Sequence, residues 1–241
     1  MADRPTYSFG EPNWTTVGRW LHLDPADDGP VWMLNLMKYR EVAAYGDDPP
    51  VAVSGREADD AYAPLGPLAA VGAMVAFYGD VTSQPAGEPA WDRVAVVRYP
   101  TRMAFFQMQE RPDYKEKFVH KEAGMEFTII MGCVPVRSTG DGTAPGAGDG
   151  DVVVRVQRFA SGGRPTDEGA EGPFPIARFD VDGVVLGDER SWDELRLDRV
   201  ARDGSGLARL VAEPAEEQIV CVVETRIDRL AESLAGPASG T

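Results

Sequence analysis

Apolar residues along this chain fall into strand-like runs separated by helical stretches and Pro/Gly-rich turns. The first run is Val31-Trp32-Met33-Leu34-Asn35-Leu36-Met37-Lys38-Tyr39. It is nearly continuous, which predicts a strand buried on both faces, and Asn35 interrupts it. Ser54-Gly55-Arg56-Glu57 has the Ser-x-x-Glu form of a capping box, and Ala58, Ala61, Tyr62 and Leu65 follow at helical spacing. Strands are predicted at Met74 to Asp80 and Arg93 to Tyr99. Pro100-Thr101 then opens a helix to about Gln109, and Pro112-Asp113 opens another that carries Tyr114, Phe118 and His120. Thr128 to Cys133 reads as the fourth strand. The order is β-α-β-β-α-β, the ferredoxin-like unit. Upstream, Asn13 is placed to cap a short helix with Trp14, Val17 and Leu21 on one side.

The pattern then starts again. Residues 137–150 are rich in Gly and nearly free of apolar side chains, which predicts an exposed linker. Beyond it lie a strand at Val152–Phe159, central strands at about Ile176–Leu186 and Asp193–Val200, a short helix at Gly206–Ala212, and a last strand at Gln218–Thr225. Trp91-Asp92 opens the third strand of the first unit and Trp192-Asp193 that of the second. Arg111-Pro112 and Glu213-Pro214 follow, and Phe77-Tyr78-Gly79-Asp80 aligns loosely with Phe179-Asp180-Val181-Asp182. A near-constant offset over so many residues implies duplication of one structural unit. The organisation predicted is an N-terminal extension (1–30), a first repeat (31–136), a flexible linker (137–150), a degenerate second repeat (151–230) and a disordered tail (231–241). The second repeat lacks the first helix. Ser161 to Pro173 stands in its place with no apolar periodicity, a plausible ligand entrance.

Composition narrows the partners. The chain has 241 residues, 43% apolar and 26% charged, as in ordinary globular proteins. A formal charge of −15 argues against nucleic acid or an anionic membrane, because holding phosphates needs a basic surface. No apolar run approaches bilayer-spanning length, and the first residues lack the apolar core of a signal peptide, so the expectation is a cytoplasmic protein. Cys133 and Cys221 lie in strand-like runs and read as reduced core thiols.

Met33-Leu34-Asn35-Leu36, the Trp91-Asp92 hairpin exit, Tyr99-Pro100-Thr101 and Arg111-Pro112-Asp113-Tyr114 together resemble the DUF1330 family of the dimeric α/β-barrel superfamily. The resemblance covers about residues 31–135 and, more loosely, 151–228. It implies an α+β fold in which two ferredoxin-like sheets close a barrel, here within one chain as a pseudo-dimer. It therefore implies a monomer or weak homodimer. Where the family carries an arginine after the Pro-x-Tyr element, this chain has Val119-His120-Lys121.

The candidate chemistry is sparse. His120 reads either as a general acid/base or as a surface residue among Lys115, Glu116, Lys117, Lys121 and Glu122. His22, flanked by Leu21 and Leu23, reads as structural. Asn35 must be hydrogen-bonded if buried, to a ligand carbonyl or to nearby backbone. Met33, Asn35, Met37 and Tyr39 share one strand face and suit a flat apolar ligand or ordinary core. Tyr78 and Asp80 share the parity of Ala76. Arg98 is placed to hold a carboxylate or enolate, or to face solvent. Trp91 and Trp192 start equivalent strands, which favours structure, although Trp91 also counts among the ligand contacts. No zinc cluster, dinucleotide fingerprint or nucleophile elbow is present. Heme-binding members of the superfamily use a histidine, which leaves His120 as a minor heme candidate; otherwise no cofactor is expected.

The resemblance implies a cofactor-independent enzyme of natural-product biosynthesis, a cyclase, isomerase or monooxygenase acting on a polyketide-like or aromatic compound inside the barrel. His120, Tyr78 and Arg98 would be catalytic, and Asn35, Met33, Met37, Asp80 and Trp91 would bind substrate. A non-catalytic small-molecule binding protein and a structural pseudo-dimer with a filled core are the alternatives.

Overall fold

The computed structural model describes residues 7–46, 52–136, 150–160, 174–201, 203–204 and 206–235. The expected linker (except Gly150) and the Ser161–Pro173 loop lie outside these residues. The N-terminal segment holds β1 (Glu11–Pro12) and α1 (Trp14–Leu21). The first unit runs β2 (Val31–Tyr39), α2 (Gly55–Tyr62), α3 (Leu65–Ala70), β3 (Met74–Ala86), β4 (Arg93–Tyr99), α4 (Arg102–Glu110), α5 (Pro112–Gly124) and β5 (Met125–Pro135). The second runs β6 (Asp151–Arg158), β7 (Phe174–Gly187), β8 (Glu194–Val200), α6 (Leu207–Ala212) and β9 (Glu217–Asp228), and α7 (Leu230–Ala235) follows.

Eight strands close one antiparallel barrel in the order β2-β4-β3-β9-β6-β8-β7-β5, while β1 flanks β7. Each unit arranges its four strands in the same way, fourth-first-third-second. The splice is made by the two longest strands. The first half of β3 pairs with β4 and its second half with β9; β7 likewise passes from β8 to β5. Backbone pairing thus continues around the barrel and leaves no open edge. Gly79 sits at one splice, where a β-carbon would come within 2.7 Å of the Glu224 carbonyl oxygen.

The duplicated Trp-Asp pair has a mechanical role in both units. The Asp92 N–H donates to the Met37 carbonyl, its own carbonyl accepts from Val81, and its carboxylate accepts the Tyr39 N–H at 2.8 Å. Asp193 does the same with Gln157, Val181 and the Phe159 N–H, the last at 2.7 Å. These bonds also fix the alignment of the repeats. Val81 matches Val181, so Phe77 corresponds to Ala177, and the looser alignment of Phe77 with Phe179 is two residues out of step. Trp91 and Trp192 both point into the barrel.

The barrel interior is filled. Trp32, Leu34 and Leu36 from β2 meet Val152, Val154 and Val156 from β6 across it, with Trp91, Phe179 and Trp192 between. Among the described residues, large apolar side chains from both sheets occupy the space where an open pocket was expected. Cys133 and Cys221 belong to this core as free thiols.

The opposite face of the first sheet is covered by helices. Gly55 on α2 faces Gly124 on α5, and a β-carbon on either would collide with the other's backbone, so the two helices touch directly. Ser54 and Glu57 form the expected capping box. Asn13 caps α1 as expected, but the buried side of α1 carries Thr16 and Trp20, while Leu21 is half exposed. Trp20 lies on Gly132, and its indole N–H donates to Asp182 at 2.8 Å. The tail expected to be disordered begins as α7. Leu230 is buried, and Ser233 accepts the Trp32 indole N–H at 3.0 Å. Among the described residues no helix is long and apolar enough to cross a membrane.

A charged acceptor holding a backbone N–H contributes about 1–3 kcal/mol when sheltered and less when exposed. Asp92→Ala should therefore lower the urea-unfolding free energy by about 1–2 kcal/mol. Asp193→Ala should lower it by less, because Asp193 is the more exposed of the pair. A neutral Asp92→Ala would show that the clamp is not needed.

Candidate functional site

A cavity of about 480 Å³ lies between the first sheet and its helices, outside the barrel. Its floor is the face of β2 opposite Trp32, Leu34 and Leu36: Met33, Asn35 and Met37, with Ala95 and Val97 from β4 beside them. A bulge in β3 between Val75 and Phe77 turns Ala76 and Phe77 together toward the barrel and leaves Val75 and Tyr78 facing the cavity. Simple alternation placed Tyr78 and Ala76 on one face; the extra residue separates them. The roof is α5, whose Tyr114, Phe118 and Lys121 stand one helical turn apart. Phe9 and Trp14 from the N-terminal segment close one side. Among the described residues the second unit contributes Val185, Leu186 and Ile227, and most of the lining comes from the first unit.

Lys121 is the feature that sequence reading missed. It is 7% exposed, and its ammonium sits over the rings of Phe9 (5.8 Å) and Tyr62 (5.4 Å). Among the described residues its Nζ has neither a hydrogen bond nor an ion pair. Burial pushes its pKa down to about 8, against a smaller upward pull from Asp59. Asp59 is already engaged: it accepts the Tyr39 hydroxyl at 2.6 Å and Arg93 Nη1 at 2.9 Å. Arg93, itself buried, reaches Asp60 at 2.7 Å and Asp80 at 2.8 Å as well. Burial raises the Asp80 carboxyl, but hydrogen bonding and charge from Arg93 and Arg56 outweigh it and hold it below the ordinary range. This network braces α2 against the sheet and leaves Lys121 unneutralised.

The expected site residues divide. Met33, Asn35, Met37 and Tyr78 line the cavity. The Asn35 amide donates to its own strand at the Met33 carbonyl, 3.1 Å away. Burial, then the charge of Asp59, keeps the Tyr78 hydroxyl protonated, and burial lifts Tyr114 to about 12. Asp80 belongs to the Arg93 network behind the cavity. Trp91 is barrel core, stacked on Phe127. Arg98 lies on the barrel face of β4, over the Trp32 ring. His120 points away from the cavity, and its Nδ1 lies 2.8 Å from the Tyr45 hydroxyl. His22 caps α1. The helical period explains His120: Tyr114, Phe118 and Lys121 recur at four- and three-residue steps, and His120 falls off that stripe. Among the described residues the cavity lining contains no histidine or cysteine. These residues do not fit a histidine-ligated heme.

The matching face of the second unit is built differently. Its matching floor positions are Arg155 for Asn35, Gln157 for Met37, Arg196 for Ala95 and Asp198 for Val97. Arg155 and Asp198 are fully buried and paired at 2.9 Å, and Glu213 joins them. A salt-bridge network there replaces the apolar floor.

Neither a protein-family model nor a curated protein matches the chain. Among solved structures, RPA0582, a protein of unknown function from Rhodopseudomonas palustris, is 27% identical, with a TM-score of 0.46. The match covers 55% of this chain and 100% of that one. A mutant chlorite dismutase from Candidatus Nitrospira defluvii in complex with cyanide is 10% identical, with a TM-score of 0.48. That match covers 90% of this chain and 96% of the other.

An uncompensated buried ammonium has a measurable consequence. The unfolded chain keeps the Lys121 proton to about pH 10.5 and the folded chain only to about 8. Between those values the unfolded state binds more protons, so stability rises with pH. The full penalty, about 3 kcal/mol, stands below pH 8. Lys121→Met should therefore be more stable than the parent at pH 7, with the gap closing toward pH 10.5. A destabilised variant at pH 7 would mean the lysine serves the fold.

Proposed function

We propose that this chain is a small-molecule enzyme of the dimeric α/β-barrel type, built from two ferredoxin-like halves in one polypeptide. It acts on an aromatic or polyketide-like compound through cofactor-independent proton transfer, as in cyclisation, isomerisation or oxygenation. The reaction takes place in the cavity under α5. The observation that carries this reading is Lys121, a cation kept unpaired in an apolar cavity at a cost to stability. Natural chains break local packing rules of this kind mainly at functional sites. With a pKa near 8, the amine is mostly protonated at neutral pH with a usable neutral fraction, so it can take up and return a proton. Tyr78 and Asn35 orient the ligand from the floor, and the aromatic walls exclude water from the exchange.

Barrel closure within the chain supports a monomer, because no sheet edge is left for a partner. The filled-core scaffold describes the barrel interior alone. The predominantly apolar lining favours a second reading, a binding protein without turnover.

Proton exchange separates the two readings without knowledge of the natural substrate. β-Tetralone is a bicyclic ketone with acidic α-protons. In D₂O at pH 7.5 the protein should accelerate their exchange, followed by NMR, and Lys121→Met should lose at least tenfold of that rate. Ala95→Phe, which fills the cavity floor, should abolish it. Binding without faster exchange would favour the sequestering protein.

A further inference from the structure

Among the described residues the ammonium of Lys121 has no counter-ion, and the lining carboxylates are engaged elsewhere. Asp59 is the nearest carboxylate in the electrostatic balance, and Tyr39 and Arg93 already hold it. The other two lining carboxylates, Asp60 and Glu110, have side chains 59% and 80% exposed, and they bind Arg93 and Lys115. The hydroxyls of Tyr62 and Tyr114 are neutral, held so by burial. A neutral ligand would displace water and leave the charge unmatched in an apolar space, which is unfavourable.

We propose that the cavity takes its ligand as an anion, an aromatic phenol or β-dicarbonyl compound whose phenolate or enolate oxygen pairs with Lys121. The inference rests on the functional reading above and adds the chemical class of the ligand. The proton balance is simple. The ligand O–H or acidic C–H bond breaks and its electron pair stays on the ligand as the delocalised anion. The proton moves to the neutral Nζ, forming the ammonium that holds the anion. The geometry suits a flat ring system. The methionines of β2 form a deformable floor below it, and Phe118 and Tyr114 roof it. The ammonium lies over the Phe9 and Tyr62 rings at one side, where a ring oxygen can meet it.

The probe pair is 7-hydroxycoumarin, whose phenol and phenolate absorb at different wavelengths, and 7-methoxycoumarin, which cannot ionise. In the parent protein the bound hydroxycoumarin should ionise about one pH unit lower than in water, a tenfold rise in the phenolate-to-phenol ratio. Lys121→Met should bind it as the phenol, and Lys121→Arg, which keeps the charge, should retain the phenolate signal. 7-Methoxycoumarin, which offers no anion, should bind Lys121→Met more tightly than the parent. If the parent binds both coumarins but hydroxycoumarin stays a phenol, the anion inference is wrong and the cavity reading survives. If the parent binds neither, both fall. An undiminished phenolate signal in Lys121→Met would assign the effect to another group and overturn the proposal.

Discussion

An antiparallel sheet covered by helices on one face must bury the other. Here the two sheets bury those faces against each other within one chain, and the rest of the structure follows from that closure. β3 and β7 are long because each serves both sheets. The interior is dense because every strand sends its inward row to the same axis. The cavity lies on an outer face, between sheet and helices.

The two outer faces are built differently among the described residues, and the first carries the cavity. In the first unit the β2 and β4 floor is Met33, Asn35, Met37, Ala95 and Val97, side chains that are small, flexible or apolar. In the second the equivalent positions carry Arg155, Gln157, Arg196 and Asp198, largely buried and in part paired with one another. The two surfaces occupy matching positions in the strand order. One was filled with a charge network, and the other was left open under helices that touch through Gly55 and Gly124. The Arg93 network has a comparable bracing role beside the open site. Within it Asp59 Oδ2 accepts from both the Tyr39 hydroxyl and Arg93.

The repeated Trp-Asp, the succession of strands and both helix caps were legible in the sequence, because each is a local pattern: Trp91-Asp92 and Trp192-Asp193, runs of apolar residues, Ser54 with Glu57, Asn13 before Trp14. The cavity's side of the sheet was not. β2 is apolar on both faces, and nothing local tells Trp32, Leu34 and Leu36 from Met33 and Met37 as barrel filling. The bulge at Ala76–Phe77 shifted the parity that would have placed Tyr78. Lys121 was hidden among Lys115, Lys117 and Glu122, where a charge run reads as a solvated surface. The three-and-four spacing from Tyr114 through Phe118 to Lys121 was nonetheless present, and it points to Lys121 over His120. The burial of Trp20 depends on Gly132, more than a hundred residues away, and no local signal reports it.

The central claim is that an unpaired, buried ammonium faces the cavity. The chain holds only four lysines, so side-chain NMR titration of isotope-labelled lysine can follow each one. One resonance should titrate near pH 8 and be missing from Lys121→Met. If the resonance lost in that variant instead titrates above pH 10, the ammonium is solvated or paired, and the reading of this cavity as a functional site is contradicted.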